Sequence, residues 1–239
     1  MSNNLQKQKW QKLLSRAWLF RFIPFADFVL VAGSMAIGNA EENSDFDVIV
    51  GCRQGRIFTA RFCYWFVFGL FGWRRVNLGR SDLQNIEISN SGRSDLRRLN
   101  SDKFCFSHFV TPAAYRLSPP HNTYWQKLYQ SIVPVFGEPQ IIQKFYDANA
   151  DWAGPVRNSP PDGSFGPRLR AGAVSNGMGW LLSGKLGNLM EKTFRKIQVK
   201  KIEKGLADVP KYNPRIIYSD NELEFHPHTK RIEDFLKNS

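Results

Sequence analysis

The chain has 239 residues, with 33 Lys and Arg against 21 Asp and Glu, a formal net charge of +12. At 42% apolar, 14% aromatic and 23% charged it has the composition of a folded protein, long enough for one domain or two small ones. Disordered, collagen-like, coiled-coil and repeat architectures are excluded, because no short repeat runs through it.

Cys52, Cys63 and Cys105 form no close pair and are odd in number, so neither a disulfide framework nor a thiolate zinc site is expected. The N-terminal stretch does not read as a secretory signal, since Arg16, Arg21 and Asp27 interrupt it. Residues 62–73 are the most apolar segment. Bracketed by Arg61 and Arg74, it is shorter than the ~20 residues of a membrane-spanning helix. The expected setting is reducing and cytoplasmic, without a transmembrane segment.

Trp10, Leu13, Leu14, Ala17 and Trp18 share one helical face, so residues 4–21 read as an amphipathic helix that Pro24 ends. Residues 28–32 (FVLVA) and 45–51 (DFDVIVG) read as buried strands. An aromatic-rich helix follows to about residue 73. Residues 77–101 leave a hairpin, a short strand at 86–88 or an ordered loop open. Residues 104–110 (FCFSHFV) give a third strand ended by Thr111-Pro112, and 124–132 a helix broken by Pro134.

Seven of the fourteen residues from 154 to 167 are Gly or Pro, the best linker in the chain. The division is therefore 1–150, a linker at 151–170, and a mainly helical extension at 171–239. In that extension Leu186, Met190, Phe194 and Ile197 recur at helical spacing. Residues 216–218 and 223–225 suit a small hairpin before a terminal helix.

The segment that carries chemistry is Gly33-Ser34, ten residues, then Asp45-Phe46-Asp47, each half fused to an apolar strand. Gly33 lets backbone approach a ligand, and Ser34 is placed to cap a helix whose first amides meet an anion. Asp45 and Asp47, two apart, leave the same face of a strand. Two adjacent carboxylates repel unless a cation lies between them, and Mg²⁺ favours such oxygen ligands together with phosphates.

The block GSMAIGNAEENSDFDVIV resembles the signature of the DNA polymerase β-like nucleotidyltransferase superfamily, in particular its minimal nucleotidyltransferase domains. The resemblance covers residues 33–50 and, with the flanking elements, roughly the first 110–140 residues. It implies an α+β fold with a small mixed sheet flanked by helices. It also implies metal-dependent transfer of a nucleoside monophosphate from an NTP, with ATP the expected one, to an acceptor hydroxyl on RNA, protein or a small molecule. Gly33 and Ser34 would hold the triphosphate, and Asp45 and Asp47 would bind Mg²⁺ or Mn²⁺. Asp102 is the expected third carboxylate and Glu87 the alternative, because the third strand holds no acid of its own. The rival reading is a weak or inactive nucleotide- or RNA-binding module of the same fold, part of a toxin–antitoxin-like pair.

Other signals are weaker. Residues 53–103 hold ten basic residues against Asp82, Glu87, Asp95 and Asp102, about half of the net charge, which suits a positive rim drawing in NTP or RNA phosphates. Lys192, Arg195, Lys196, Lys200, Lys201 and Lys204 read as a solvated helix face or an RNA rail. His226 and His228 read as a solvated loop rather than metal ligands, and His108 as a hydrogen-bonded strand histidine. Residues 184–187 (GKLG) lack the spacing of a phosphate-binding loop. Tyr124, Trp125 and Tyr129 read as core.

Overall fold

The computed structural model describes residues 2–75, 99–119, 121–156, 179, 182–206 and 215–226. Glu87, most of the 77–101 stretch, most of the Gly/Pro-rich segment, His228 and the terminal helix lie outside the described residues.

The amphipathic spacing near the start produces α1 (Ser2–Arg16), which tightens into a 3-10 segment (Ala17–Phe22) before Pro24. Two apolar runs become β1 (Ala26–Val31) and β2 (Phe46–Cys52), antiparallel with Val29 opposite Val50 and Val31 opposite Val48. The short helix α2 (Gly33–Ile37) lies in the connection between them. α3 (Ile57–Leu70) leads toward β3 (Phe104–Val110), which pairs parallel to β2.

Next come α4 (Thr123–Ser131), β4 (Val133–Gly137), α5 (Pro139–Asp147) and α6 (Ala150–Ala153). The long α7 (Lys185–Leu206) and the hairpin β5 (Arg215–Tyr218) and β6 (Glu222–His226) complete the described elements. The six described strands form one mixed sheet in the order β4–β1–β2–β3–β6–β5. The protein is α+β, a mixed sheet covered by helices.

Alternation along the strands sorts the core into two layers. Phe46, Val48, Val50, Phe104, Phe106 and Phe109 face one layer, where Phe20 and Phe68 stack at 5.3 Å and Phe68 meets Phe104 at 4.9 Å. Burying each such ring contributes about 1.5–3 kcal/mol. Phe28, Leu30 and Ile49 face the other layer, against Trp125, Tyr129 and Phe145 of α4 and α5.

Two features of the sheet depart from the sequence expectation. β4 begins where Pro134 is expected only to end a helix. A proline is tolerated there because β4 is an edge strand, so its missing amide breaks no inner ladder. The C-terminal hairpin does form, but as part of the main sheet, through His108 opposite Glu224. α7 is tied in by polar contacts as well. The Glu191 carboxylate accepts from the Phe58 and Thr59 amides at 2.9 and 2.8 Å, satisfying orphan donors at the start of α3. Gln198 bridges Arg61 and the Phe58 carbonyl, each at 2.8 Å.

Asp27 sits in the irregularity between Ala26 and Phe28 of β1. Burial pushes its carboxyl up to about 6, and Arg53 opposes this only in part. An acid whose folded value is raised costs nothing while it is protonated in both states. Its penalty grows as pH rises from the ordinary carboxylate range through 6, and is complete above that. Asp27→Asn is therefore expected to raise stability at pH 7–8 by about 1–3 kcal/mol and to flatten the pH dependence between 4 and 6. Chemical denaturation at pH 4, 6 and 8 checks this; an equal change at all three pH values would show that Asp27 carries no such penalty.

Candidate functional site

The two halves of the Gly-Ser and Asp-x-Asp pattern meet in space. The Ala32 amide donates to the Asp47 carbonyl at 2.9 Å, which lays the turn after β1 against the start of β2. Gly33 has φ +64, and a Cβ on it would lie 2.3 Å from Asp47 Oδ2. That closeness requires a residue without a side chain, and only glycine takes this φ without strain. Ser34 does not cap the helix as expected. α2 starts one residue earlier, with Ala32 flanking it, and half-buried Ser34 is its second residue.

Alternation puts Asp47 on the sheet face of Ile49, and parallel pairing sets Cys105 of β3 directly opposite it. Ligand atoms of Asp45, Asp47 and Cys105 all lie within 4.8 Å of one another. The expected third carboxylate, Asp102, is not in this group. It takes up φ +57, and its carboxylate accepts from Lys9 at 2.8 Å and Lys12 at 2.5 Å on α1. Its carbonyl accepts from Arg16, and its amide donates to the Ser44 carbonyl at 3.2 Å. Burial would raise the Asp102 carboxyl, but hydrogen bonds from Lys12 and Lys9 hold it below the ordinary range. Asp102 thus fastens the loop before β3 to α1 and to the approach to β2. Glu87 lies outside the described residues.

Sequence reasoning misses Cys105, and it offers Arg75 only as one of the ten basic residues of 53–103. The Arg75 guanidinium donates to Asp45 Oδ2 at 2.6 Å and approaches Cys105 Sγ at 3.7 Å. Burial alone would lower its pKa, but Asp45, Cys105 and Asp47 together hold it above its ordinary value. The Cys105 thiol is pushed up by burial and by the Asp47 and Asp45 charges, so it stays protonated at neutral pH. A signal for Cys105 exists in strand alternation: Phe104 and Phe106 face the core, so Cys105 faces the carboxylates.

The donor set fits a divalent cation in part. Two carboxylates on one face suit a hard ion whose remaining ligands are water and phosphate. A thiol suits Mg²⁺ poorly and a softer ion better. Arg75 already supplies one positive charge to the pair, so an incoming ion competes with it for Asp45. Arg75→Ala is expected to tighten Mn²⁺ binding by about three- to tenfold, a modest gain because the arginine is partly exposed. Titration followed by Mn²⁺ paramagnetic resonance measures it, and unchanged affinity would place the ion away from Asp45.

Four of the ten basic residues of the 53–103 stretch, Arg80, Arg93, Arg97 and Arg98, lie outside the described residues. Among the described basic residues of 53–103, Arg75 is at the site. Arg61 is buried over Trp65 at 3.8 Å, and Arg56 donates to the Ser183 carbonyl and to Asn188 at the start of α7. Lys192, Arg195, Lys196 and Lys200 lie with Glu203 on one exposed face of α7. Among the described residues no helix is long and apolar enough to cross a membrane.

Compared with protein-family models, curated proteins and solved structures, the chain finds no match.

Proposed function

We propose that the protein is a metal-dependent nucleotidyltransferase, moving a nucleoside monophosphate from an NTP such as ATP to an acceptor hydroxyl. The observation that carries this reading is the contact between the turn and the acids. Residues fourteen apart in sequence, Gly33 and Asp47, meet so closely that a Cβ on Gly33 would touch the carboxylate. A phosphate lying along the Gly33-Ser34 turn is thereby next to two carboxylates able to hold Mg²⁺ or Mn²⁺. Such an ion neutralises charge on the phosphates and polarises the reacting phosphoryl group. Asp45 and Asp47 hold and orient that charge, and the β1–β2 pairing fixes their distance from the turn. Protonated Cys105 cannot serve as the base that a third carboxylate would be, so transfer is expected to be slow.

A second reading is favoured by Arg75 and Cys105: nucleotide binding without turnover. The Arg75 guanidinium offsets the Asp45 charge without an ion, and the protonated Cys105 thiol beside Asp47 supplies no third carboxylate to hold one. The basic face of α7 suits an RNA backbone in either reading.

The experiment is incubation with each α-labelled NTP and Mg²⁺ or Mn²⁺ in the presence of RNA, protein and small-molecule fractions. Label entering one fraction, in a reaction that releases pyrophosphate, supports the transferase. Metal-dependent NTP binding with no transfer supports the second reading. Absence of both sinks the two together.

A further inference from the structure

On the same sheet face, on the other side of β3 from β2, lies a second group of ligating side chains that the nucleotidyltransferase reading does not use. His108 on β3 faces Glu222 and Glu224 on β6, and ligand atoms of the three all lie within 4.8 Å of one another. All three are buried, Glu224 completely. His226, at the end of β6, brings its Nε2 to 3.3 Å from Glu224 Oε1. We propose that His108, Glu222 and Glu224 bind a zinc-class divalent ion that clamps the C-terminal hairpin to the sheet.

His108 is hydrogen-bonded on its strand, as the sequence suggests, and the separations in the cluster also suit ligands around a small tetrahedral ion. Donors 2.0–2.1 Å from a tetrahedral centre stand about 3.3–3.4 Å apart. His108 Nε2 and Glu222 Oε1 are 3.3 Å apart, as are His226 Nε2 and Glu224 Oε1. A charge-assisted N–H···O bond is shorter, about 2.7–2.9 Å. Glu224 supplies an independent pointer. Its Oε2 accepts from Arg215 Nε at 2.6 Å, while its buried Oε1 accepts no well-formed hydrogen bond among the described residues, its nearest polar neighbour being His226 Nε2 at 3.3 Å. A buried carboxylate oxygen without a well-formed hydrogen bond is costly, and an ion lessens that cost.

Charge and support fit as well. Glu222, Glu224 and Arg215 by themselves carry a buried net charge of −1, which a cation offsets. Arg215 holds the outer oxygen of a ligand, as the outer groups of metal sites do, and lies over the Trp125 ring at 5.0 Å. The strand irregularity between Cys105 and His108, three steps on β3 against two on β2, is what puts His108 on the same sheet face as Cys105. Imidazole plus carboxylate is a donor set for Zn²⁺ or Co²⁺ rather than for Mg²⁺.

The test uses the full chain in an Asp47→Asn/Cys105→Ser background, which removes donors of the first site and makes the outcome independent of nucleotidyl transfer. After chelation, this protein is expected to take up one equivalent of Zn²⁺ in calorimetric titration and to melt several degrees higher with the ion. Glu222→Gln and His108→Gln should each weaken binding more than tenfold and abolish the melting shift. Should either variant fail to fold, Co²⁺ added to the background protein reads the same site through the intense visible bands of tetrahedral coordination. The proposal is overturned if the background protein takes up no zinc, if Co²⁺ gives only weak octahedral bands, or if folded Glu222→Gln and His108→Gln bind as tightly as the background.

Discussion

Asp47→Asn is expected to lower nucleotidyl transfer by on the order of 10²-fold or more while leaving the melting temperature unchanged or slightly raised. The fold argument is local. Asp47 is held by its backbone, which accepts from Ala32 at 2.9 Å and pairs with Cys105, and asparagine keeps both. The side chain also keeps its volume beneath Gly33. What changes is the charge. Asp45 retains its bond to Arg75, whereas the ion loses one of two carboxylates, and repulsion between the two acids disappears. Transfer and thermal melting must be measured on the same preparation. Wild-type transfer by a well-folded Asp47→Asn protein would remove Asp47 from any metal role.

The fold is legible where the sequence carries continuous apolar runs. FVLVA, DFDVIVG and FCFSHFV each become strands of one sheet, the first two with boundaries shifted by one or two residues and the third at its expected bounds. β4 is not legible, because Pro134 reads as a breaker unless the strand is known to be at an edge. At the site the Gly33–Asp47 meeting is legible, since a short connection between antiparallel strands must return the chain beside itself. The third position is not. Asp102 recommends itself by lying near β3 in sequence, but which residue of β3 faces Asp47 depends on register, and parallel pairing places Cys105 there. Arg75 is hidden among ten basic residues that look alike in sequence. His108, Glu222 and Glu224 are hidden for a different reason. They are brought together by pairing between strands more than a hundred residues apart, so no local spacing could announce them. His226, a loop residue by its local sequence, ends β6 beside Glu224.

Gly33→Ala gives the second large effect, and it separates backbone strain from damage to the carboxylate. The residue has φ +64, where an L side chain costs about 1–2 kcal/mol. Its Cβ would also stand 2.3 Å from Asp47 Oδ2 and 3.1 Å from Asp47 Cβ and Cγ. The carboxylate must therefore swing away, and a misplacement on the order of 1 Å costs about 10²-fold in rate. Gly38, at the end of α2 on the same connection, supplies the control. It has φ +87, and a methyl group there would meet no described atom within 4 Å, so Gly38→Ala bears comparable strain without touching Asp47. The two variants should lose similar stability in chemical denaturation, about 1–2 kcal/mol each. Only Gly33→Ala should also lose transfer and Mn²⁺ affinity. Equal transfer by both variants would mean that the turn does not set the position of the Asp47 carboxylate, and the contact between the two halves of the motif would then have no part in the chemistry.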